Sequence, residues 1–193
     1  MYSRYPNHSD VKTYLNIQTT RDDLVLAEFV QRAIVIFENL ARRTFLPKVD
    51  TKYFDGNSPE IVSWNTLFIR SEDLLTVTEL MINGEVVPSD EFILSGDGPP
   101  YYKIQLLPES DFSFYNYTLN PFRSIKITGT WGYGDEIPAD VFGAIVRLTA
   151  YLYAQKDNAM ELDRTNAIAG GMGMPSGIPK DIERIAVVYR RIM

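Results

Sequence analysis

The hydrophobic period changes twice along this chain, and that change narrows the possible folds more than any single motif does. Leu26, Phe29, Ala33, Phe37 and Leu40 recur at helical spacing, and Val30, Ile34 and Ala41 widen the stripe into a core-facing surface. From Val49 the period shortens towards two. TKYF, TLFI, LTVTELMI, EFIL, YYKIQLL and RSIKITG read as short strands, separated by the turn-forming DGNSP, NGE, PSD and SGDGPP. Helical spacing returns at Pro138, a residue suited to the first turn, with Val141, Ile145, Leu148 and Leu152 on one face. Phe142, Thr149 and Tyr153 lie beside that face, and KDIERIAVVYRR forms a last helix beginning near Pro179. The expected fold is α+β within a single domain over 1–193. Helical N- and C-terminal segments (9–45 and 138–193) form a small bundle around a mostly antiparallel β insertion at 49–130, with a flexible loop at 157–178.

Local signals refine this plan. Ser9 has the chemistry to cap a short helix, DVKTYL, and Thr20 to cap the long one, with Asp23 in the capping-box position. Glu28–Arg32 and Glu38–Arg42 are spaced for i,i+4 pairing, each worth about 0.2–0.5 kcal/mol. Asn83-Gly84 favours a tight hairpin between ELMI and EVV. FSFYNYTLNPF, from Phe112 to Phe122, reads either as an arm reaching a neighbour or as a segment buried on its own sheet. Val25, Val30 and Ile34 on the long helix fit an inter-subunit face or a thick core equally well. Met172 and Met174 lie among the glycines of AGGMGMPSG, where flexible thioethers suit an adaptable contact surface; a loose surface loop is the alternative.

Composition removes several classes of function. The chain has no cysteine, so disulfides, thiolate catalysis and cysteine-held metals are excluded. The formal charge is −6 from 19 basic and 25 acidic residues, which argues against a general nucleic-acid coat. It is compatible with a surface that lets DNA pass without gripping it. No apolar run reaches the length of a membrane span, and MYSRYPNHSD lacks the apolar segment of a signal peptide, so the sequons at Asn7 and Asn116 are expected to be chance matches. His8 is the sole imidazole, in a polar segment. The adjacent carboxylates Glu72-Asp73, Asp90-Glu91 and Asp135-Glu136 fall in turn-like or pre-helical segments, as surface acids do, although two of them meeting across a cleft would make a hydrolase. Asp55-Gly56-Asn57 lacks the rest of a calcium loop. No catalytic residue, metal or cofactor is expected.

The glycines of GTWGYG invite a phosphate-binding reading, but their order is G-x-x-G-x-G, and Asp135, Glu136, Ile137 and Pro138 delay the helix. A sheet-to-helix corner accounts for them. In that reading Gly132 and Gly134 supply unusual backbone angles, while Trp131 and Tyr133 cover the helix base. Arg42-Arg43 and Arg190-Arg191 close two helices, where cations complement the dipole or reach a partner's carboxylates. Tyr189 beside the terminal pair makes a docking tip.

The order of segments carries one further signal. DVKTYLNI, then ENLARRTFLP, TKYFDG, LLTVTELMINGEVVPSDEFIL, IKITGTWGYGDEIPADVFGAIVRLTAYLYAQKD and GIPKDIERIAVVYRR together resemble the tailed-phage head–tail connector family, also described as adaptor or head-completion proteins. Arg42, Arg43 and Phe45 match the helix-end motif of that family. Gly129, Trp131, Gly132, Gly134 and Pro138 match its corner, and Ile185, Tyr189, Arg190 and Arg191 its terminal helix. The resemblance implies a virion protein at the head–tail junction, assembled in the bacterial host cytoplasm as a cyclic homo-oligomer, usually of twelve copies. Its partners would be the portal protein and a tail or head-completion protein, with DNA passing through the channel during packaging and ejection and no membrane involved. Arg42, Arg43, Met172, Met174, Tyr189, Arg190 and Arg191 become candidate contacts with portal or neighbour. A neck or tail module that does not touch the portal is the nearest alternative.

Overall fold

The computed structural model describes residues 2–58, 61–70, 72–115, 120–165 and 177–190, with backbone only at 61–62 and 157–165. The fold is α+β, with helices at both ends of the chain and an antiparallel β insertion between them. The chain divides into two compact units, one from Met1–Arg42 with Glu136–Ile192 and the other from Arg43–Asp135.

The helical unit holds α1 (His8–Leu15), α2 (Asp23–Ala41), α3 (Ala139–Thr165) and α4 (Lys180–Val188). The cap of α1 is Asn7 rather than Ser9. Its side chain accepts from the Ser9 and Asp10 amides, and the Asp10 carboxylate accepts from the Asn7 amide, so the cap sits two residues earlier than expected and is a reciprocal box. At α2 the cap position is Asp22, without a side-chain cap bond, and Thr20 contributes its carbonyl, which accepts from the Asp23 amide. Asp22 is instead engaged by the Tyr153 hydroxyl at 2.6 Å and by Lys156 at 3.8 Å. Leu26, Val30, Ala33, Ile34, Phe37 and Ala41 are buried, so Val30 and Ile34 belong to the core of this unit. Val141, Ala144, Ile145 and Leu148 of α3 are fully enclosed; burying a valine, isoleucine or leucine there contributes about 1.5–3 kcal/mol relative to leaving it in water. The helix α3 continues through Thr165, so positions 157–165 of the expected loop are helical, and 166–176 lie outside the described residues.

Among the described residues the β unit contains two four-stranded sheets. The first has the order β1 (Lys48–Phe54), β8 (Ile125–Trp131), β4 (Leu74–Ile82), β5 (Glu85–Val86), and the second β2 (Ile61–Ser63), β3 (Thr66–Phe68), β7 (Lys103–Leu106), β6 (Phe92–Ser95). Every pairing is antiparallel. The strand that enters from α2 and the strand that leaves towards α3 are neighbours, with Lys48 opposite Trp131 and Phe54 opposite Ile125. The Asn83-Gly84 hairpin forms as expected, both residues at positive φ and Ile82 opposite Glu85. Alternation along β8 sends Ile125, Ile127 and Trp131 to one face, where they join Leu67, Ile104, Leu106 and Phe114 from the second sheet's side in one core.

Candidate assembly surfaces

The helix-end arginines, though adjacent in sequence, have opposite surroundings. Arg42 terminates α2 in the left-handed region (φ 52°), its amide bonding back to Asn39 and Glu38 carbonyls, and its side chain is exposed. Arg42 thus lies past the end of the helix, and the Glu38 carboxylate, expected to pair with it, accepts from the Tyr5 hydroxyl at 2.5 Å. Arg43 turns inward. Its Nε lies 2.9 Å from Asp73 Oδ2, with side chains 16% and 8% exposed. The guanidinium stands 4.8 Å over the Tyr133 ring, and that ring tilts against Phe45 at 5.7 Å. The backbone closes the same clasp: Tyr133 N donates to Thr44 O at 2.9 Å, and Gly132 N to Asp73 O at 2.8 Å. Arg43 is therefore a structural element of the β unit, its charge spent on Asp73.

Two of the corner glycines are required sterically. Gly132 takes φ +152°, and a Cβ there would stand 2.6 Å from the Leu46 carbonyl oxygen. At Gly129 a Cβ would lie 2.0 Å from the Thr76 carbonyl oxygen, where β4 carries irregularities in its register with β8. A Cβ at Gly134 would meet only open space, and this glycine is not among the positive-φ residues, so the expected need for unusual angles does not hold there. Trp131 belongs to the sheet core. As an inward residue of β8 it is buried in the β core, its indole Nε1 donating to Asp50 O at 3.0 Å. Pro138 leads into α3, its carbonyl accepting from Phe142 N at 3.0 Å.

At the other end of the chain, α4 stops at Val188, and Tyr189 is its C-cap. The Tyr189 hydroxyl lies 2.9 and 3.1 Å from the two carboxylate oxygens of Asp140, in the first turn of α3, so it pins α4 rather than standing free. Arg190 is exposed and reaches the Leu40 carbonyl at 3.2 Å, in the last turn of α2. Arg42 and Arg190 are thus brought to the same helix end, two exposed cations where the dipole is negative. Met172, Met174 and Arg191 lie outside the described residues.

The carboxylates are distributed as structural or solvated groups. Glu72 pairs with Lys52 at 3.2 Å, and Glu91 accepts from the Ser110 hydroxyl at 2.6 Å. Burial pulls the Lys52 ammonium down, but Glu72 and Asp50 together outweigh it and leave its pKa raised. Asp90, Asp135 and Glu136 are exposed. Asp55 accepts from the Arg123 amide at 2.6 Å, closing the base of the aromatic segment. Among the described residues no group of three or more His, Cys, Asp or Glu is gathered as a metal site would need, and no helix is long and apolar enough to cross a membrane.

Exposed apolar side chains were the signal that periodicity alone did not isolate. In the helical unit Leu24 is 88% and Val35 56% exposed on α2, and Val187 and Val188 are exposed on α4. In the β unit Val49, Tyr53 and Val86 stand on the first sheet's outer face, opposite the side holding Ile127 and Trp131. Trp64, Ile93 and Tyr102 are exposed around the second sheet. The aromatic segment is split between roles: Phe114 is fully buried and Phe112 packs on the core, whereas Phe122 is exposed and Asn116–Leu119 lie outside the described residues.

No family model matches the sequence, and no curated protein matches it. Solved structures do. A chain in the neck of an empty GTA particle, computed with C6 symmetry, superposes with a TM-score of 0.63 at 17% identity, covering 99% of this chain and 92% of that one. A chain in the neck of a native GTA particle, computed with C12 symmetry, gives 0.58 at 18% identity over 96% and 88%. A chain in the virion of a native gene transfer agent particle gives 0.58 at 18% over 99% and 92%. At this identity the likeness shows a shared fold, and it extends over nearly the full length of the chains compared.

Proposed function

We propose that this chain is a structural ring subunit at the head–tail junction of a phage-like particle. It would sit beneath the portal, extend the DNA channel, and present a platform to the next neck or tail protein. The observation that carries this reading is the near full-length fold match to neck chains of gene transfer agent particles, one of them in a neck computed with C12 symmetry. The connector-like segment order of the sequence supports it independently. A cyclic assembly meets its neighbours through two different faces of each subunit, which agrees with apolar side chains left exposed around both sheets and on α4. Twelve copies, portal contact and assembly in a bacterial cytoplasm belong to this proposal. Among the described candidate contacts Arg42 and Arg190 are exposed cations, while Arg43 and Tyr189 also bond to carboxylates of their own units.

The role requires no bond-making. The carboxylates that would serve a hydrolase are tied to Lys52, Arg43 and Ser110 or stand on the surface, so no observation favours that reading. Mixing the purified chain with the portal protein of its own particle and imaging the product by electron microscopy tests the proposal. An added annulus on the portal is expected; a chain that stays monomeric and ignores the portal would overturn it.

A further inference from the structure

We propose that the solvent face of α2 joins two free copies of this chain in a weak antiparallel dimer about a two-fold axis. Leu24, Glu28, Gln31, Arg32 and Val35 are all exposed, at the i, i+4, i+7, i+8 and i+11 spacing that places them on one stripe of a helix. An outward stripe is ordinarily polar throughout, yet this one carries apolar residues near both ends, with Leu24 88% exposed. Its arrangement is self-complementary. Leu24 and Val35 lie equally far from the midpoint of the stripe, between Phe29 and Val30, and so do Glu28 and Gln31. Laying a second copy antiparallel across that midpoint brings each Leu24 to the other copy's Val35. It also brings each Glu28 to the other copy's Gln31, with the neighbouring Arg32 within reach.

Charge argues for a second copy as the occupant rather than an unrelated helix. Glu28 and Arg32 pair at 2.5 Å within one chain, with side chains 63% and 60% exposed, so they exchange partners with little desolvation. The antiparallel arrangement sets negative against positive on both sides of the axis at once. Five side chains per copy cover far less than the roughly 800 Å² per partner of a standard interface, so the dissociation constant is expected on the order of 0.1 mM. A two-fold contact of this kind cannot form between neighbours of one cyclic ring, which use two different faces. The dimer is a state of unassembled subunits, and the inference does not rest on the connector reading.

Sedimentation equilibrium of the full chain from about 10 µM to 1 mM, with circular dichroism confirming the fold of each variant, tests it. Wild type should show a reversible monomer–dimer equilibrium on the order of 0.1 mM. Glu28→Arg leaves only cations on the stripe and Arg32→Glu only anions, so each alone should weaken association at least tenfold. An equimolar mixture of the two should recover it as a heterodimer. Leu24→Ser should weaken it without responding to mixing. A wild type that stays monomeric throughout, charge variants that associate as wild type does, or a mixture that recovers nothing would each overturn the proposal.

Discussion

The turn after α2 and the tip after α4 both carry arginines at a helix end, and they have been put to opposite uses. At the first, Arg43 is enclosed by Asp73, the Tyr133 ring and backbone bonds that join Tyr133 to Thr44, Gly134 to Phe45 and Gly132 to Asp73. At the second, Arg190 stands in solvent and bonds to a helix-end carbonyl. What separates them is not residue type or helix position but what arrives from elsewhere in the chain. Asp73 precedes β4 and Tyr133 follows β8, and both are delivered by the ladder that places β8 between β1 and β4. A helix-end arginine is therefore held inside where a sheet returns a carboxylate to it, and stays at the surface where only a backbone carbonyl meets it.

Substitutions can break that contrast at graded cost. The largest effect is expected at Gly129, where even alanine sets its Cβ against the Thr76 carbonyl and forces β4 and β8 apart. Gly129→Ala should cost about 4 kcal/mol, read as a loss of denaturant midpoint without recovery at lower temperature. Next comes the clasp. Arg43→Ala leaves Asp73 buried without its cation and should cost about 3 kcal/mol, whereas Arg43→Ala with Asp73→Ala should recover part of that loss, as a double-mutant cycle would show. At the C-terminal tip, Tyr189→Phe removes the bond to Asp140 and should cost about 1 kcal/mol. Arg190→Ala should leave stability nearly unchanged, within about 0.5 kcal/mol, while weakening association with the portal. If Arg43→Ala were as mild as Arg190→Ala, the contrast between the two arginines would fail.

The smallest effect concerns an exposed ion pair. Hydrogen bonds from the Arg4 guanidinium hold the Asp10 carboxyl below its ordinary value; burial opposes this, and the Asn7 amide adds to it. A depressed carboxylate stabilises the fold above its ordinary pKa, near 3.9, and loses that contribution as pH falls through the folded value. The Tm difference between wild type and Asp10→Asn should thus be small at pH 6 and vanish in the acid range, since solvent screens the pair.

Those graded costs follow what was legible in the sequence. Features set by neighbours along the chain read correctly: the Asn83-Gly84 hairpin, the strand through RSIKITG, the stripe of α2 and the start of α3 after Pro138. Caps read less well, because Ser9 and Thr20 competed with Asn7 and Asp22 two positions away, and tertiary bonds such as Tyr153 to Asp22 decided the outcome. Long-range partners were not legible. Nothing near Arg43 announces Asp73, and nothing near Trp131 says that its corner faces the sheet core. The exposed Leu24 and Val35 escaped notice because apolar residues in an amphipathic helix are assigned to the core side by default, and only the burial of Val30 and Ile34 leaves these two on the other face.

The central claim is that this chain works as a ring subunit between capsid gate and tail, and a cryo-electron microscopy map of the neck in intact particles tests it most directly. The account predicts a closed ring beneath the portal whose subunit density accepts this fold, with Arg42 and Arg190 at a protein–protein boundary. A map in which the portal joins other components directly, with this chain absent, would contradict it.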